Sequence, residues 1–415
     1  MTYLAVDAAI AKSTALTRSR LRNAANLTRE KRQDREIPLL SLSVRHGLRY
    51  RGEGGLGRQA PSADSLANYW VVQPGDVIVN PMWLLEGSVG VSALWGAVSP
   101  AYRVYRPCSG TDGRFLAYLL GSSPYIQQYQ LLIRGLTTFD RAIGREDLDD
   151  IPVALPELEE QRGVADFLDR QTTRIDHLME LRGHQVEQAK LARSAAMIET
   201  FFGSDHQQVR LSAVAAVSHG RQRSPEHESG PFMTPYIRSA NVKDGLITTD
   251  DVKEMNFNPA ERAQYGLRVG DVLVTEAAGS AEAIGASAIW RGEIDGPVCF
   301  QNHVLRLRPS TPLWANEYLY WWARASYAAG AMRVYATGAN ILNLGSESIK
   351  AMMVPARSPD EQSDCVQLCE ARVGHLDDVA TATAGHRQLL AERRAALITA
   401  AVTGQFDPTT SRGVA

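Results

Sequence analysis

Several short motifs in this sequence have residue types and spacings that could support chemistry. The segment GEGGLG at 52–57 fits the G-x-G-x-x-G pattern of dinucleotide sites. Such a site needs a buried strand before the glycines and a helix after them. Here RHGLRYR precedes the glycines and RQAPSAD follows, with Pro61 inside the would-be helix. We therefore interpret 52–57 as a surface loop.

A second motif, VIVNPMW at 77–83, resembles the Asn-Pro-Pro-aromatic turn with which amino-methyltransferases hold a target amine. Met82 replaces the second proline, and the related segment VLVTEAA at 272–278 has no Asn, Pro or aromatic residue. No strand followed by a glycine-rich turn and an acidic ribose ligand accompanies the motif. An autonomous DNA amino-methyltransferase is therefore the least favoured function.

Other chemistry is also disfavoured by the pattern of residues. Cys365 and Cys369 lie one helical turn apart, but no His/Cys pair is positioned to complete a zinc site, so buried thiols are expected. The sequence has no G-x-x-x-x-G-K-[ST] phosphate loop and no Ser-His-Asp set in a nucleophile elbow. We predict no catalytic residue, no metal site and no cofactor in this chain.

The composition indicates a multidomain protein with an uneven distribution of charge. The 415 residues are 44 % apolar, which is enough for real cores, and the net charge is −2. Residues 17–58 nevertheless contain 11 Lys and Arg against 4 Asp and Glu, a stretch that could face phosphate or form a solvated face. The absence of an 18-residue apolar run and of a signal-peptide pattern at the N-terminus predicts a cytoplasmic protein without a membrane segment.

The chain is a tandem repeat of about two hundred residues, because several blocks recur in one order at nearly constant offset. PGDVIV at 74–79 matches VGDVLV at 269–274, and VGVSALW at 89–95 matches IGASAIW at 284–290. Three further pairs recur 201 residues apart: Gln161 and Gln362, Asp176 and Asp377, and Arg193 and Arg394. Each repeat begins with short β-branched runs and turn residues and continues as a long segment almost without helix breakers.

The two long segments, 157–203 and 358–404, have the 3–4 apolar spacing of helices that pair along a seam. A helix of this length is roughly 65 Å long. The predicted seam residues are Leu168, Ile175, Leu178 and Ala189 in the first helix and Leu376, Val379, Leu390 and Leu397 in the second.

The order globule, helix, globule, helix predicts an α+β protein. Two tandem mixed α/β domains would be joined by two long helices that pack as an antiparallel coiled coil. We expect the globules at opposite ends of a rod; the alternative is a duplication whose helices pack onto their own globules. The predicted boundaries are 1–155 and 205–355 for the globular domains, 156–204 and 356–407 for the helical spacers, and 408–415 for a flexible tail.

The runs LPELEEQRGVADFLDRQTTRIDHL and ERRAALITAAVTGQFD resemble those of the specificity subunits of type I restriction–modification enzymes, and the resemblance covers nearly the whole chain. It implies a non-catalytic subunit in which two target-recognition domains each bind one half of a bipartite, asymmetric double-stranded DNA target. The helices would set the gap and dock two methyltransferase subunits. S-adenosylmethionine would belong to those subunits, and ATP with Mg to a restriction subunit. The rival function from another class is a duplicated protein-binding scaffold.

The DNA contacts are expected in the opening third of each recognition domain, because Arg suits guanine, Asn suits adenine and both also hold phosphate. The candidates are Arg45, His46, Arg49, Arg51 and Arg58 in the first domain and Arg221, Arg223, Arg238, Asn241 and Lys243 in the second.

Overall fold

The structure, a computed structural model, describes residues 17–31, 37–43, 47–51, 66–133, 135, 141–277, 280–338 and 343–406. The chain divides into two compact units. The first unit comprises the residues up to Leu181 together with those from His386 onward, and the second unit is Arg182–Gly385. Each unit therefore contains one globular part and one half of each long helix.

The globular part of the first unit is mainly antiparallel sheet. Its strands are β1 (Thr17–Arg20), β2 (Ala25–Thr28), β3 (Leu40–Ser43), β4 (Gly47–Tyr50), β5 (Trp70–Val72), β6 (Val77–Val79), β7 (Val89–Val91), β8 (Gly96–Val98), β9 (Arg103–Pro107) and β10 (Pro152–Leu155). Its helices are α1 (Leu21–Ala24), α2 (Gly113–Leu120), α3 (Ser123–Leu132), α4 (Arg145–Asp149) and the first half of α5 (Leu158–Phe202), with a 3₁₀ turn at Leu84–Glu86.

Four strands in the order β2-β9-β6-β7 form the central sheet, and β1 pairs with β10, β3 with β4, and β5 with β8, all antiparallel. Helix α2 begins where Asp112 accepts the backbone N–H groups of Arg114 and Phe115, which caps its first turn. The core on this sheet includes Tyr105 and Phe115 and extends into both long helices.

The globular part of the second unit repeats this arrangement with additions. Its strands are β11 (Gln208–Arg210), β12 (Ala215–His219), β13 (Met233–Ile237), β14 (Val242–Lys243), β15 (Leu246–Ile247), β16 (Lys253–Asn256), β17 (Val272–Thr275), β18 (Ser287–Ile289), β19 (Cys299–Phe300), β20 (Val304–Pro309) and β21 (Met353–Pro355). Its helices are α6 (Leu211–Val214), α7 (Pro259–Tyr265), α8 (Asn316–Ala328), α9 (Ala331–Val334), α10 (Ser346–Lys350) and the first part of α11 (Pro359–Val402). Three 3₁₀ turns lie at Pro225–His227, Ser239–Asn241 and Ala281–Ala283.

The duplication predicted from the sequence is confirmed in the central sheet and in the strand pair that includes the last strand before each long helix. The sheet β12-β20-β17-β18 has the order of β2-β9-β6-β7, and β11 pairs with β21 as β1 does with β10. The registers also correspond, since Val77 lies opposite Tyr105 and Val272 opposite Leu307. Gly75 and Gly270 occupy equivalent turns with positive φ, 93° and 94°, which favours glycine at both positions. A three-stranded sheet, β16-β13-β19, has a parallel β13–β19 pair.

The long helices begin and end within two residues of the predicted 157–203 and 358–404. In the first unit Phe167 contacts Phe406 and Asp176 bonds to Arg394, so α5 and α11 run antiparallel there. In the second unit the ion pairs Arg193–Asp377 and Glu199–Arg372 show that α5 and α11 also run antiparallel there. The predicted fold class is thus confirmed: two mixed α/β domains alternate with two long helices that pack antiparallel within each unit. No helix in the described ranges is long and apolar enough to cross a membrane.

Candidate nucleic-acid interface

A buried glutamine near the start of α5 fixes this helix to the globular part of the first unit. The side-chain nitrogen of Gln161 donates to the carbonyl oxygens of Gly110 (2.9 Å) and Pro156 (2.8 Å). Its side-chain oxygen accepts the N–H of Asp112 (2.9 Å), the residue that also caps α2. The fully buried amide therefore satisfies three backbone groups where a loop, a helix cap and α5 meet.

Gln362, 201 residues later, makes the equivalent contacts in the second unit. Its nitrogen donates to the carbonyl oxygens of Leu313 (2.9 Å) and Arg357 (2.9 Å), and its oxygen accepts the N–H of Ala315 (3.0 Å). The glutamine in each repeated helix motif is thus an anchor between a long helix and its own globular part.

The repeated Gly-Asp-Val motif has an equally direct explanation. The buried Asp76 carboxylate accepts two hydrogen bonds from Arg106 of β9, at 2.9 and 3.0 Å, which raise the pKa of Arg106. Asp271 accepts the same two bonds from Arg308 of β20, both at 2.6 Å. Each carboxylate also accepts the backbone N–H three residues earlier at 2.8 Å. The aspartate therefore closes a turn and joins neighbouring strands in both domains.

The helix segments of each unit are joined by an ion pair between repeat-equivalent residues. In the first unit Arg394 donates two hydrogen bonds to Asp176, at 2.8 and 3.3 Å. In the second unit Arg193 donates to Asp377 at 3.3 Å. This reciprocity explains why both residue types recur 201 residues apart in the sequence.

The predicted seam is only partly buried. Leu168, Ile175 and Ala189 are buried, Leu376, Leu390 and Leu397 are partly buried, and Leu178 and Val379 are exposed at 38 % and 41 %. The last two values correct the prediction for these positions. A straight α-helix drifts by about 20° per heptad relative to a fixed stripe, so a constant 3–4 spacing does not keep every residue on the paired face.

In the first domain, two of the predicted DNA-contact residues lie in the described part of the chain. Arg49 is partly exposed in β4, and Arg51, just after this strand, is exposed and donates a 3.4 Å hydrogen bond to the Tyr69 hydroxyl. Arg45, His46 and Arg58 lie outside the described residues.

In the second domain, two candidates are buried and have internal roles. Arg221 is 9 % exposed, forms an ion pair with Glu261 at 2.9 Å and lies over the Phe257 ring. Asn241 is 2 % exposed and holds the turn before β14, because its side-chain oxygen accepts the N–H of Arg238 at 3.1 Å. Burial argues against DNA contact for Arg221 and Asn241, which corrects these two expectations.

The other three candidates of the second domain remain accessible. Arg223 is exposed and pairs with Glu228 at 2.8 Å, Arg238 is partly exposed and pairs with Asp251 at 2.7 Å, and Lys243 is exposed on β14. Arg49 and Lys243 lie on the hairpins β3–β4 and β14–β15, so both domains present basic side chains on a hairpin.

The motifs considered for catalysis have structural explanations where they are described. The side-chain oxygen of Asn80 accepts the N–H of Met82 at 3.2 Å and its carbonyl accepts the N–H of Trp83, so Asn80 stabilises a turn. The GEGGLG segment lies outside the described residues. Cys365 and Cys369 are buried in the core of the second unit, and burial raises the pKa of Cys369 to about 11. Across the described ranges, no three His, Cys, Asp or Glu side chains cluster as metal ligands.

Two polar clusters were not predicted from the sequence. Glu276, just after β17, is buried with its carboxylate 3.6 Å from His219, and burial raises its pKa. Arg324 of α8 is buried and bonds to Asp244. A single arginine inside the otherwise uncharged run YLYWWARASYAAG was the available signal for the second cluster, because a buried guanidinium needs a carboxylate partner.

Known proteins share both the sequence pattern and this fold. The chain is 21 % identical over 290 residues to the EcoKI specificity subunit, of a type I restriction enzyme from Escherichia coli (strain K12). That match covers 66 % of this chain and 62 % of the relative, so it spans less than two thirds of the relative's length. The chain resembles the specificity subunits of type I restriction enzymes. No protein-family profile matches it.

Solved structures extend the likeness over nearly the whole chain. A chain from a study of complex assembly and conformational transition in the type I R–M system superposes with a TM-score of 0.73 and 18 % identity, covering 95 % of this chain and 99 % of that one. The HsdS subunit from Thermoanaerobacter tengcongensis gives a TM-score of 0.52 at 18 % identity, covering 95 % and 98 %. At these identities the structures establish a shared fold.

Proposed function

We propose that this chain is the non-catalytic DNA-specificity subunit of a type I restriction–modification complex and acts in the cytoplasm. Residues 1–155 and 205–355 are the target-recognition domains, each for one half of a bipartite, asymmetric target. Residues 156–204 and 356–407 are the helical spacers that set the gap, and 408–415 is a tail. S-adenosylmethionine and ATP with Mg are used by partner subunits.

The observation that carries this proposal is a duplicated framework with different exposed side chains. Both domains keep the same order in the central sheet, the pairing of a buried aspartate with an arginine, and the glutamine anchor. The hairpins differ, since β4 carries Arg49 and β14 carries Lys243. One frame with two sets of surface residues suits the reading of two unlike half-sites.

The proposed DNA contacts are the accessible candidates Arg49, Arg51, Arg223, Arg238 and Lys243. Replacing Arg49 and Arg51 together by Ala should weaken binding of the assembled complex to its target. Each lost phosphate contact lowers the slope of log affinity against log salt by about 0.9, so the slope should fall by about 2.

The control for this experiment is Arg145→Ala, which removes an exposed arginine of the same domain that pairs with Asp149. An unchanged affinity and salt slope for the double variant would contradict the placement of these contacts. Absence of any DNA binding by the wild-type complex would favour the protein-binding scaffold instead.

We further propose that two methyltransferase subunits dock on the long helices, one in each unit, with a restriction subunit completing the complex. Support comes from exposed apolar side chains in each unit: Leu178, Leu181 and Leu389 in the first, and Leu191, Leu368 and Val379 in the second. Leu178 and Val379 are repeat-equivalent, as expected of a duplicated docking surface.

Two charged residues of the long helices, Asp166 and Asp377, have partners within the protein and so give little support to a docking surface. Asp166 accepts a hydrogen bond from Arg114 at 2.7 Å, and Asp377 is the partner of Arg193. The docking proposal therefore depends on the apolar residues.

Native mass spectrometry after co-expression with the methyltransferase tests this stoichiometry. The wild-type chain should bind two copies, Leu178→Asp one copy and Val379→Asp one copy, so that each variant controls for the other. A one-to-one wild-type complex at saturating partner would contradict two docking sites.

A further inference from the structure

A chain of charged side chains connects the globular part of the second unit to its long helices. Asp244 lies in the turn between β14 and β15, and its carboxylate is mostly buried. It accepts hydrogen bonds from Arg324 of α8 at 2.8 Å and from Arg193 of α5 at 2.8 Å. Arg193 also donates to Asp377 of α11 at 3.3 Å. Arg193 is therefore bonded simultaneously to the recognition domain and to the second long helix.

The domain side of this connection is rigid. The Arg324 guanidinium is 4 % exposed, lies 4.8 Å from the centre of the Trp321 ring and donates to the Tyr320 hydroxyl at 3.2 Å. Burial alone would lower the pKa of Arg324, but its hydrogen bonds with Asp244 raise it overall, so the ion pair is kept. After Asp244, Gly245 has a φ of +82°, and a Cβ there would lie 2.9 Å from the Arg324 guanidinium carbon. The position of the Asp244 carboxylate is consequently fixed by its own domain.

In the first unit, different ion pairs connect the globular part to the long helices. There α2 carries the cation, and Arg114 donates to Asp166 at 2.7 Å and to Asp169 at 2.8 Å on α5. Arg394, the repeat-equivalent of Arg193, makes its hydrogen bonds in the described part of the chain with Asp176 of α5 alone. The bond from the helix-pair arginine to the recognition domain is thus described in the second unit only.

We propose that Arg193 is a positioning residue that holds the second recognition domain in one orientation on its helices and thereby restricts the spacing between the two half-sites. This inference rests on the proposed function. Arg193 acts through Asp244, which lies in the turn of the β14–β15 hairpin next to Lys243. A domain freed to rotate on its helices would reach half-sites at more than one separation.

The test uses the complete complex with its methyltransferase subunits. Its affinity is measured for a series of duplexes in which the gap between the half-sites is about one or two base pairs longer or shorter than the native gap. Each base pair moves the second half-site by about 3.4 Å along the DNA. The variant is Arg193→Gln, which leaves the buried Arg324–Asp244 pair intact so that the domain still folds. The matched control is Arg394→Gln, which removes the equivalent helix–helix ion pair of the first unit.

For Arg193→Gln the ratio of affinity for the native gap to affinity for the altered gaps should fall about tenfold, the factor that one charge-assisted hydrogen bond supplies. Arg394→Gln should keep the wild-type ratio. A loss of stability alone would reduce active protein equally on every duplex and leave the ratio unchanged.

An unchanged ratio for Arg193→Gln, or an equal fall in the control, overturns the positioning role while leaving the proposed function in place. A wild-type complex that binds no bipartite target overturns both.

Discussion

The glutamine anchor at the start of α11 gives a sharp test of how the long helices are held. Gln362 is 1 % exposed and makes hydrogen bonds to two backbone carbonyl oxygens and one backbone N–H at this junction. Gln362→Met keeps nearly the same volume but removes all three hydrogen bonds. The expected effect is therefore one of hydrogen bonding and not of a cavity.

The magnitude follows from the number of groups involved. A buried hydrogen bond contributes about 1 kcal/mol net, so three give about 3 kcal/mol. For a unit of this size each kcal/mol corresponds to about 2–4 °C, which predicts a fall in melting temperature of about 6–12 °C. Gln367→Met is the control, because Gln367 is exposed on the same helix and in the same unit.

Two readouts check this prediction. Calorimetry should show the large fall for Gln362→Met and little change for Gln367→Met. Hydrogen exchange should show that the Ala315 amide, which donates to the Gln362 side chain at 3.0 Å, loses protection in the first variant alone. Equal melting temperatures for the two variants, or an Ala315 amide that stays protected in Gln362→Met, would show that Gln362 does not anchor α11 through these hydrogen bonds.

Two further predictions concern buried ionisable groups. Burial raises the pKa of Glu276, so its charged form destabilises the fold above the ordinary glutamate value of 4.5, and this penalty disappears as the pH falls towards that value. Near neutral pH the melting temperature of Glu276→Gln should be higher than that of the wild type, and this difference should narrow in acid. The control Glu282→Gln, at an exposed position, should have the melting temperature of the wild type. A difference for Glu276→Gln that does not depend on pH would contradict this prediction. Burial also raises the pKa of Cys369 from 9.0 to about 11, which lowers the fraction of thiolate about 100-fold near pH 8. In the native protein iodoacetamide should therefore label Cys369 far more slowly than the partly exposed Cys108. Labelling is measured by mass spectrometry. Equal labelling rates for Cys369 and Cys108 in the native protein would show that Cys369 is not buried.

Much of the fold could be predicted because the sequence contains the same structural pattern in two tandem repeats. A constant offset of 201 residues separates Gln161 from Gln362, Asp176 from Asp377 and Arg193 from Arg394. The offset is the same because each unit makes the same contacts separately. The sequence predicts the long helices closely because they contain no proline beyond the first residue and end near glycine. Constant spacing in a sequence is therefore informative when a physical contact enforces it.

Other features depend on contacts between residues far apart in the chain. The parallel pairing of β13 with β19 joins Tyr236 to Cys299 and has no local signal. Arg221 carries the same side chain as the exposed Arg223, and only the proximity of Glu261 and Phe257 explains its burial. Arginines that read DNA and arginines that hold a loop are therefore indistinguishable in a single sequence.

We propose that each recognition domain specifies one half of a bipartite target independently of the other domain. The most direct measurement is methylome sequencing of cells that express this chain with its methyltransferase, before and after residues 1–155 are exchanged for the corresponding domain of another specificity subunit. We expect the wild-type chain to direct methylation to a two-part motif, and we expect the exchange to alter one half while the other half and the gap stay the same. A change in both halves, or methylation that does not depend on the chain, would contradict it.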